Sequence, residues 1–320
     1  MLNTLTPPTL LEIRQAHKVI SAFAHLTPVL TSSSVNERAG ASVFFKCENF
    51  QKVGAFKFRG ACNAVMGLSD EEASLGVATH SSGNHAQALA LAAKLRGIKA
   101  YVVMPENAPK VKVQAVKGYG ADVTFCEATL EARESTLDEV VRQTKASIIH
   151  PYNDARIIAG QGTAALELLH TNPDLDIVIT PVGGGGLLSG TAIATKSVNR
   201  TALVIGAEPE KADDAFQSFQ QKTLIPAIPT NTIADGLRTS LGTLPFSIIM
   251  NHVDDIQTVA EDEIIDAMRF IWERMNMIVE PSSAVPLAAI FRNPQFYEGK
   301  KVGVIVTGGN LDLGRLPWQS

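Results

Sequence analysis

The 320-residue chain is poor in cysteine and in aromatic side chains, and its acids barely outnumber its bases. Cys47, Cys62 and Cys126 are an odd number with no paired spacing, so neither a disulfide framework nor a zinc knuckle is indicated. Free thiols in a reducing compartment are the expectation. A net charge of −4 and a pI near 6.0 give no electrostatic footing for nucleic acid or an anionic membrane surface. No apolar run approaches a membrane span, and the chain does not open with a basic stretch followed by an apolar run; acidic Glu12 arrives early. These absences predict a cytoplasmic protein with neither nucleic acid nor membrane as partner. Internal repeats, low-complexity tracts and an obvious linker are missing too.

Hydrophobic residues at 45% against charged residues at 19% describe a globular chain with enough material for one large core or two ordinary ones. Strand-like and helical segments alternate, the pattern of an α/β protein with largely parallel sheets. The apolar runs suited to buried strands lie at 43–45, 77–79, 100–104, 177–179, 203–205 and 302–306. Helical patterns fill 84–95, closed by Gly97, and 162–169 and 262–275. Pro105, Pro181 and Pro209 follow strand candidates, where ligands of such sheets gather. Two domains could be interleaved, the chain crossing between them near 70–76 and again near 151–156.

Lys57 stands between Phe56 and Phe58 in Gly-Ala-Phe-Lys-Phe-Arg-Gly-Ala. An apolar setting lowers a lysine pKa and frees its amine as a nucleophile, although snorkelling accounts for many such lysines. Gly183 to Gly186 follow the 177–179 strand and precede a helical pattern. Converging backbone N–H groups and a helix start there suit a phosphate; the alternative is a flexible turn. No Gly-Lys-Ser/Thr follows, so this is not a Walker loop. Ser81-Ser82-Gly83-Asn84-His85 lies between a strand and a helix and suits a carboxylate, or forms an ordinary N-cap. Thr307-Gly308-Gly309-Asn310 could exchange one hydrogen bond with a heterocycle nitrogen or make a tight turn. Glu208, Glu210, Asp213 and Asp214 crowd one loop, read either as solvated surface or as a divalent-cation site.

These segments, in this order, resemble fold-type II pyridoxal-phosphate enzymes, specifically the serine racemase and serine/threonine dehydratase group. The resemblance runs from Leu26-Thr27-Pro28-Val29-Leu30 to Leu311-Asp312-Leu313 and includes Ala159-Gly160-Gln161-Gly162-Thr163. It implies a tryptophan synthase β-like fold of two interleaved parallel-sheet domains: 1–70 with 155–320 as the large cofactor domain, and 76–152 as a small inserted one. Lys57 would carry pyridoxal 5′-phosphate as a Schiff base and serve as base on one face of the substrate Cα. Phe56 would pack near the ring, Asn84 bond its phenolic oxygen, Gly183, Gly184, Gly185 and Gly186 hold its phosphate, and Thr307 meet its nitrogen. A neutral hydroxyl there does not hold the nitrogen protonated as a carboxylate would, which limits the electron sink.

The resemblance further implies that Ser81, Ser82, Asn84 and His85 bind an amino-acid substrate, with Ser82 the acid–base group opposite Lys57. Glu208, the carbonyl of Ala212 and Asp214 match a divalent-cation site for Mg²⁺ or Mn²⁺, with Ca²⁺ an option. Arg133 matches a pocket arginine able to pair with a second carboxylate, or is a surface residue; Ser240 matches a pocket serine, or is a turn hydroxyl. Gly54-Ala55 and Tyr152 depart from the animal racemases and agree with the plant-type ones. Ser32, Ser33, Lys52, Gln87 and Tyr119 match parts of the animal nucleotide effector site, where Val53 lacks a hydroxyl, so a nucleotide is a candidate effector. A homodimer is the expected assembly. The implied activity is serine racemisation with dehydration of L-serine and related β-hydroxy amino acids. The alternatives are a dedicated dehydratase of threo-3-hydroxyaspartate, serine or threonine, and an amino-acid sensor that keeps the cofactor without turnover.

Overall fold

The computed structural model describes residues 6–318 with the exceptions of Ser82 and Pro109. Its strands are β1 (Val29–Leu30), β2 (Ser42–Cys47), β3 (Val77–His80), β4 (Ala100–Pro105), β5 (Asp122–Cys126), β6 (Ser147–Ile148), β7 (Ile177–Pro181), β8 (Leu203–Pro209), β9 (Asp255–Val259) and β10 (Lys301–Val306). They form a six-stranded sheet in the order β1-β2-β10-β7-β8-β9 and a four-stranded sheet in the order β5-β4-β3-β6. All pairings are parallel except the antiparallel β1–β2 pair. The expected α/β architecture with two parallel sheets is therefore present.

Register follows burial. Val302, Val304 and Val306 of β10 pair with Val43, Phe45 and Cys47 of β2, and all six are buried. Every residue of β7 is buried, as a strand covered on both faces requires. Pro181 and Pro209 are the last residues of β7 and β8, so those prolines end ladders without breaking them.

Three helices pack almost backbone to backbone behind the large sheet. A Cβ on Gly160 would fall 2.6 Å from Gly60 Cα, and one on Gly162 would fall 2.8 Å from Gly190 O. Glycine at these crossings lets the helices Lys57–Met66, Ala155–Thr171 and Gly186–Val198 close together. Lys57 opens the first of them, and the tetraglycine leads into the third. Close packing thus fixes two candidate site segments against each other.

A candidate active site at the ends of two sheets

The loops that carry the candidate residues leave the C-terminal ends of β2, β3, β7 and β10, where parallel sheets of this kind receive ligands. After β2 the chain makes two 3₁₀ turns in which Val53 (φ 57°) and Gly54 (φ 66°) are left-handed. For a β-branched valine that conformation is costly and must be held by its surroundings. It is held: Asn310 Nδ2 donates to Val53 O at 2.7 Å, Gly309 N to Gly54 O at 3.0 Å, and Phe56 N to Thr307 O at 2.9 Å. The loop before Lys57 is therefore sewn to the loop after β10.

Lys57 Nζ donates to Pro151 O at 2.9 Å and lies 5.2 Å from the Phe56 ring centre. Part of the side chain is open to solvent, but the protein around it desolvates the ammonium. Burial pushes its pKa down to about 8, against the attraction of the Glu280 carboxylate. Asn84 opens the Asn84–Arg96 helix, and its amide orientation is set from both ends. Its Nδ2 donates to Glu280 at 3.1 and 3.2 Å, and its Oδ1 accepts from Asn310 Nδ2 at 3.0 Å. One amide hydrogen suffices for Glu280, which leaves the other for a ligand oxygen. Burial raises the Glu280 carboxyl to about 7. Glu280 was not among the candidates read from the sequence, and Asn310 entered only as the last residue of the Thr307-Gly308-Gly309-Asn310 motif.

The four glycines are buried, not a flexible turn. Gly185 has φ 85°, and a Cβ at Gly183, Gly184 or Gly186 would meet Leu237 and Thr239, the Tyr152 ring, or the Tyr152 backbone at 2.3–3.2 Å. This is a cradle of bare backbone at the start of a 13-residue helix, a fit for a phosphate. Thr307 is buried and sits 2.9 Å from Ser283 Oγ, so its hydroxyl is fixed against the neighbouring helix.

Ser81 Oγ accepts from Gly83 N at 3.3 Å. Ser82 lies outside the described residues. His85 is buried with Nε2 3.2 Å from Ile149 O and, among the described residues, no partner on Nδ1; burial and Lys57 keep it neutral. His150 Nδ1 accepts from Asn153 N at 2.9 Å, and burial takes its pKa down to about 4. The Tyr152 ring stands edge-on to His150 at 4.6 Å, and burial raises its phenol to about 12. Arg133 Nε donates to Thr129 O at 3.2 Å, at the start of its own helix, and its charge pulls the His80 and Tyr152 pKa values down. The Ser240 hydroxyl accepts from Ala227 N at 3.2 Å, within its own loop.

The acidic loop divides. Glu210 pairs outward with Arg292 at 2.6 Å, and Asp213 accepts from Gln217 at 2.9 Å. Glu208 and Asp214 turn inward and are buried, beside buried Ala212. Glu208 accepts from the backbone of Ala215 and Phe216, and Asp214 Oδ2 from Leu241 N at 2.8 Å. Asp214 Oδ1 is buried without a hydrogen-bond partner among the described residues. Burial raises Asp214 to about 6, and burial with Asp214's charge raises Glu208 well above the usual carboxylate range. Among the described residues no three His, Cys, Asp or Glu side chains form a group that could hold a metal ion; the inward carboxylates here are two, Glu208 and Asp214. An unmatched buried carboxylate oxygen is what a hard cation takes.

The family described as pyridoxal-phosphate dependent enzyme matches residues 20–308. The chain is similar to a serine racemase of Dictyostelium discoideum, 53% identical over 313 residues and 96% of each chain. It is also similar to a β-hydroxyaspartate dehydratase of Paracoccus denitrificans, 50% identical over 97% of this chain and 99% of that protein. The solved structure of maize serine racemase superposes with a TM-score of 0.94 at 47% identity, covering 97% of this chain and 95% of that one. A desolvated lysine, a glycine cradle and a buried hydroxyl at the ends of two parallel sheets agree with those likenesses. The chain belongs to the pyridoxal-phosphate dependent enzymes, with the fold-type II architecture.

Proposed function

We propose that this enzyme interconverts L- and D-serine and dehydrates L-serine and related β-hydroxy amino acids to a keto acid and ammonia. The observation that carries the reading is Lys57, an amine brought to about 8 beside a buried glycine cradle and an oriented amide. Bound pyridoxal phosphate supplies an electron sink that acidifies the α-hydrogen of an amino acid joined to it. In this reading Gly183 to Gly186 hold the phosphate, Asn84 the phenolic oxygen, Phe56 the ring face and Thr307 the ring nitrogen. Ser81, Ser82, Asn84 and His85 bind the substrate carboxylate at the helix start. Lys57 moves the α-proton on one face. Ser82 returns a proton on the other face, which racemisation needs and elimination does not.

The same reading assigns a divalent cation to Glu208, the Ala212 carbonyl and Asp214, supported by the unpartnered Asp214 oxygen. It divides the chain into a large domain of 1–70 and 155–320 and a small one of 76–152. It includes a homodimer in the cytoplasm, a pocket role for Ser240, and a nucleotide effector at Ser32, Ser33, Lys52, Gln87 and Tyr119. A dedicated hydroxyaspartate dehydratase is the second reading. It is favoured by Arg133, whose charge acts on His80 and Tyr152 and could pair with a second substrate carboxylate.

The test is a parallel assay of serine, threonine and both 3-hydroxyaspartate diastereomers, scoring keto acid and chirality with and without Mg²⁺. D-Serine together with pyruvate from L-serine is expected. Keto acid without D-serine would move the assignment to the dehydratase, and a loaded protein that turns over nothing would make it a sensor. Ser82→Ala should damage racemisation more than elimination; equal loss removes its acid role.

A further inference from the structure

Tyr152, His150 and His80 form a row of three rings. Tyr152 stands edge-on to His150 at 4.6 Å, and His80 stands edge-on to it at 6.2 Å. One end of the row covers the glycine cradle, because a Cβ on Gly184 would meet the Tyr152 ring at 2.3 Å. The other end is the last residue of β3, directly before Ser81. Pro151, next to His150, offers its carbonyl to Lys57 Nζ. The row thus runs from the cradle, past the lysine amine, to the 81–85 loop.

The tautomer of His150 follows from its partners. The backbone N–H groups of Asn153 and Tyr152 reach Nδ1 at 2.9 and 3.3 Å, and a backbone N–H can only donate. Nδ1 therefore keeps its lone pair, and the one hydrogen of the neutral ring sits on Nε2. A second proton would set a donor against two donors. Burial opposes it as well, as do the charges of His80 and Lys57, and only Asp154 favours it. Nε2–H is thus a fixed donor. No described residue accepts from it, and it is not among the buried, unpartnered atoms.

We propose that His150 Nε2–H donates to the β-oxygen of a hydroxy amino acid and so selects substrates that carry one. The inference rests on the reading above that Lys57 acts at the substrate Cα. Proton transfer brings that carbon within about 3 Å of the amine held at Pro151 O. Of the groups on Cα, the nitrogen joins the cofactor and the carboxylate meets the 81–85 loop. The β-substituent is left for the wall beside Pro151. A neutral donor holds the hydroxyl oxygen before reaction and holds it more strongly as the C–O bond lengthens and negative charge collects there. Nε2 keeps its hydrogen throughout, so the contact orients and polarises that bond and transfers no proton. Serine, threonine and 3-hydroxyaspartate share this oxygen, so the contact serves either activity.

The experiment compares elimination by the loaded enzyme from L-serine and from β-chloro-L-alanine, which loses the same α-hydrogen but departs as chloride. His150→Asn sets an amide oxygen where Nδ1 stood and removes the Nε2 donor, whereas His150→Gln returns an amide N–H near Nε2. In His150→Asn, kcat/KM for serine should fall about a hundredfold, the scale of one donor lost from developing charge. For chloroalanine it should fall by no more than about threefold, and His150→Gln should recover about tenfold on serine. Equal losses on both substrates, or none on serine, overturn the inference, since a merely structural ring does not tell the leaving groups apart. A second measurement needs no variant. α-Methyl-L-serine keeps the hydroxyl but has no α-hydrogen, and α-aminoisobutyrate lacks both. The His150 Nε2–H proton, assigned by through-bond correlation in ¹⁵N-labelled wild type, should move downfield with the first ligand and not with the second. Equal movement, or none, overturns the inference even if neither variant folds. A wild type that eliminates from neither compound refutes the functional reading itself.

Discussion

Lys57 and Arg59 are two residues apart in one helix, and their surroundings move them in opposite directions. Burial works against charge at both. At Arg59 two carboxylates outweigh it. Its guanidinium reaches Glu48 at 2.7 and 2.8 Å, Glu167 at 2.7 and 2.8 Å, and Thr163 at 3.2 Å. Lys46 completes the balance at 2.6 Å from Glu167, and Thr27 donates to Glu48 at 2.6 Å. Two cations and two anions thus neutralise one another out of water, and Glu167 is held well below the usual carboxylate range. At the other end of the same turn, the ledger stays open. Lys57 has one carbonyl, Glu280 has amides, and among the described residues Asp214 Oδ1 and His85 Nδ1 have no hydrogen-bond partner. Closed polar networks fix a scaffold; open ones retain capacity for a ligand.

The comparison breaks most sharply at Lys57 itself. Lys57→Ala should cut turnover about a thousandfold or more and abolish the absorbance of the lysine-bound cofactor, as loss of a group acting directly on substrate does. Folding should change by less than about 1 kcal/mol, because the change removes a desolvated amine with a single partner. Arg59→Met should do the reverse. It leaves two buried carboxylates with one cation between them, at a cost of about 3–5 kcal/mol by urea unfolding, while turnover per folded molecule is retained. Equal damage to both properties in either variant would erase the distinction.

Legibility in the sequence follows the same division. The six strands expected from apolar runs are β2, β3, β4, β7, β8 and β10, all interior to their sheets. The four that were missed, β1, β9, β5 and β6, are the four sheet edges. An edge strand is half solvated and short, so it lacks a continuous apolar run; Asp-Ile-Gln-Thr-Val of β9 is the example. Lys57, the tetraglycine and Asn84 were visible because each is a local signal beside a strand end. Glu280 and Ser283 were not, and Asn310, though it closes the Thr307-Gly308-Gly309-Asn310 motif, carried no role of its own there. Pro-Ser-Ser-Ala reads as the first turn of a helix, and only folding brings Ser283 to Thr307, 24 residues on, and Glu280 to Asn84, 196 residues away. The tetraglycine's burial was likewise unreadable, since it depends on Tyr152 and Leu237 closing over it.

Glu280 sharpens the contrast by pH. Its pKa rises from 4.5 unfolded to about 7 folded, so the folded state holds the extra proton between those values. Its contribution to stability is complete below the unfolded value and is lost as pH climbs through the folded one. In cofactor-free protein, stability should fall between about pH 4.5 and about pH 8 by up to ~3 kcal/mol more in wild type than in Glu280→Gln. Urea midpoints at the two pH values, compared between the proteins, cancel the other titrating groups. A parallel pH response would mean that Glu280 carries no such proton.

The smallest expected effect concerns the acidic pair. Glu208 and Asp214 are like charges buried together, and no cation among the described side chains is hydrogen-bonded to either. A divalent ion bound there converts their repulsion into attraction and satisfies Asp214 Oδ1. Because the ion binds the folded chain alone, stability should rise by about 1.4 kcal/mol at ten times its dissociation constant. Asp214→Asn should be no less stable than wild type without the ion, since it removes an uncompensated carboxylate, and should gain nothing when Mg²⁺ or Mn²⁺ is added. In the Arg59 network the same logic predicts the opposite response. Those carboxylates are already matched, so Glu167→Gln should weaken the fold whether or not the ion is present. Thermal unfolding of the three proteins across an ion titration separates the cases. An Asp214→Asn variant that still responds to the ion, or a wild type that never does, would close the acidic pair as a cation site.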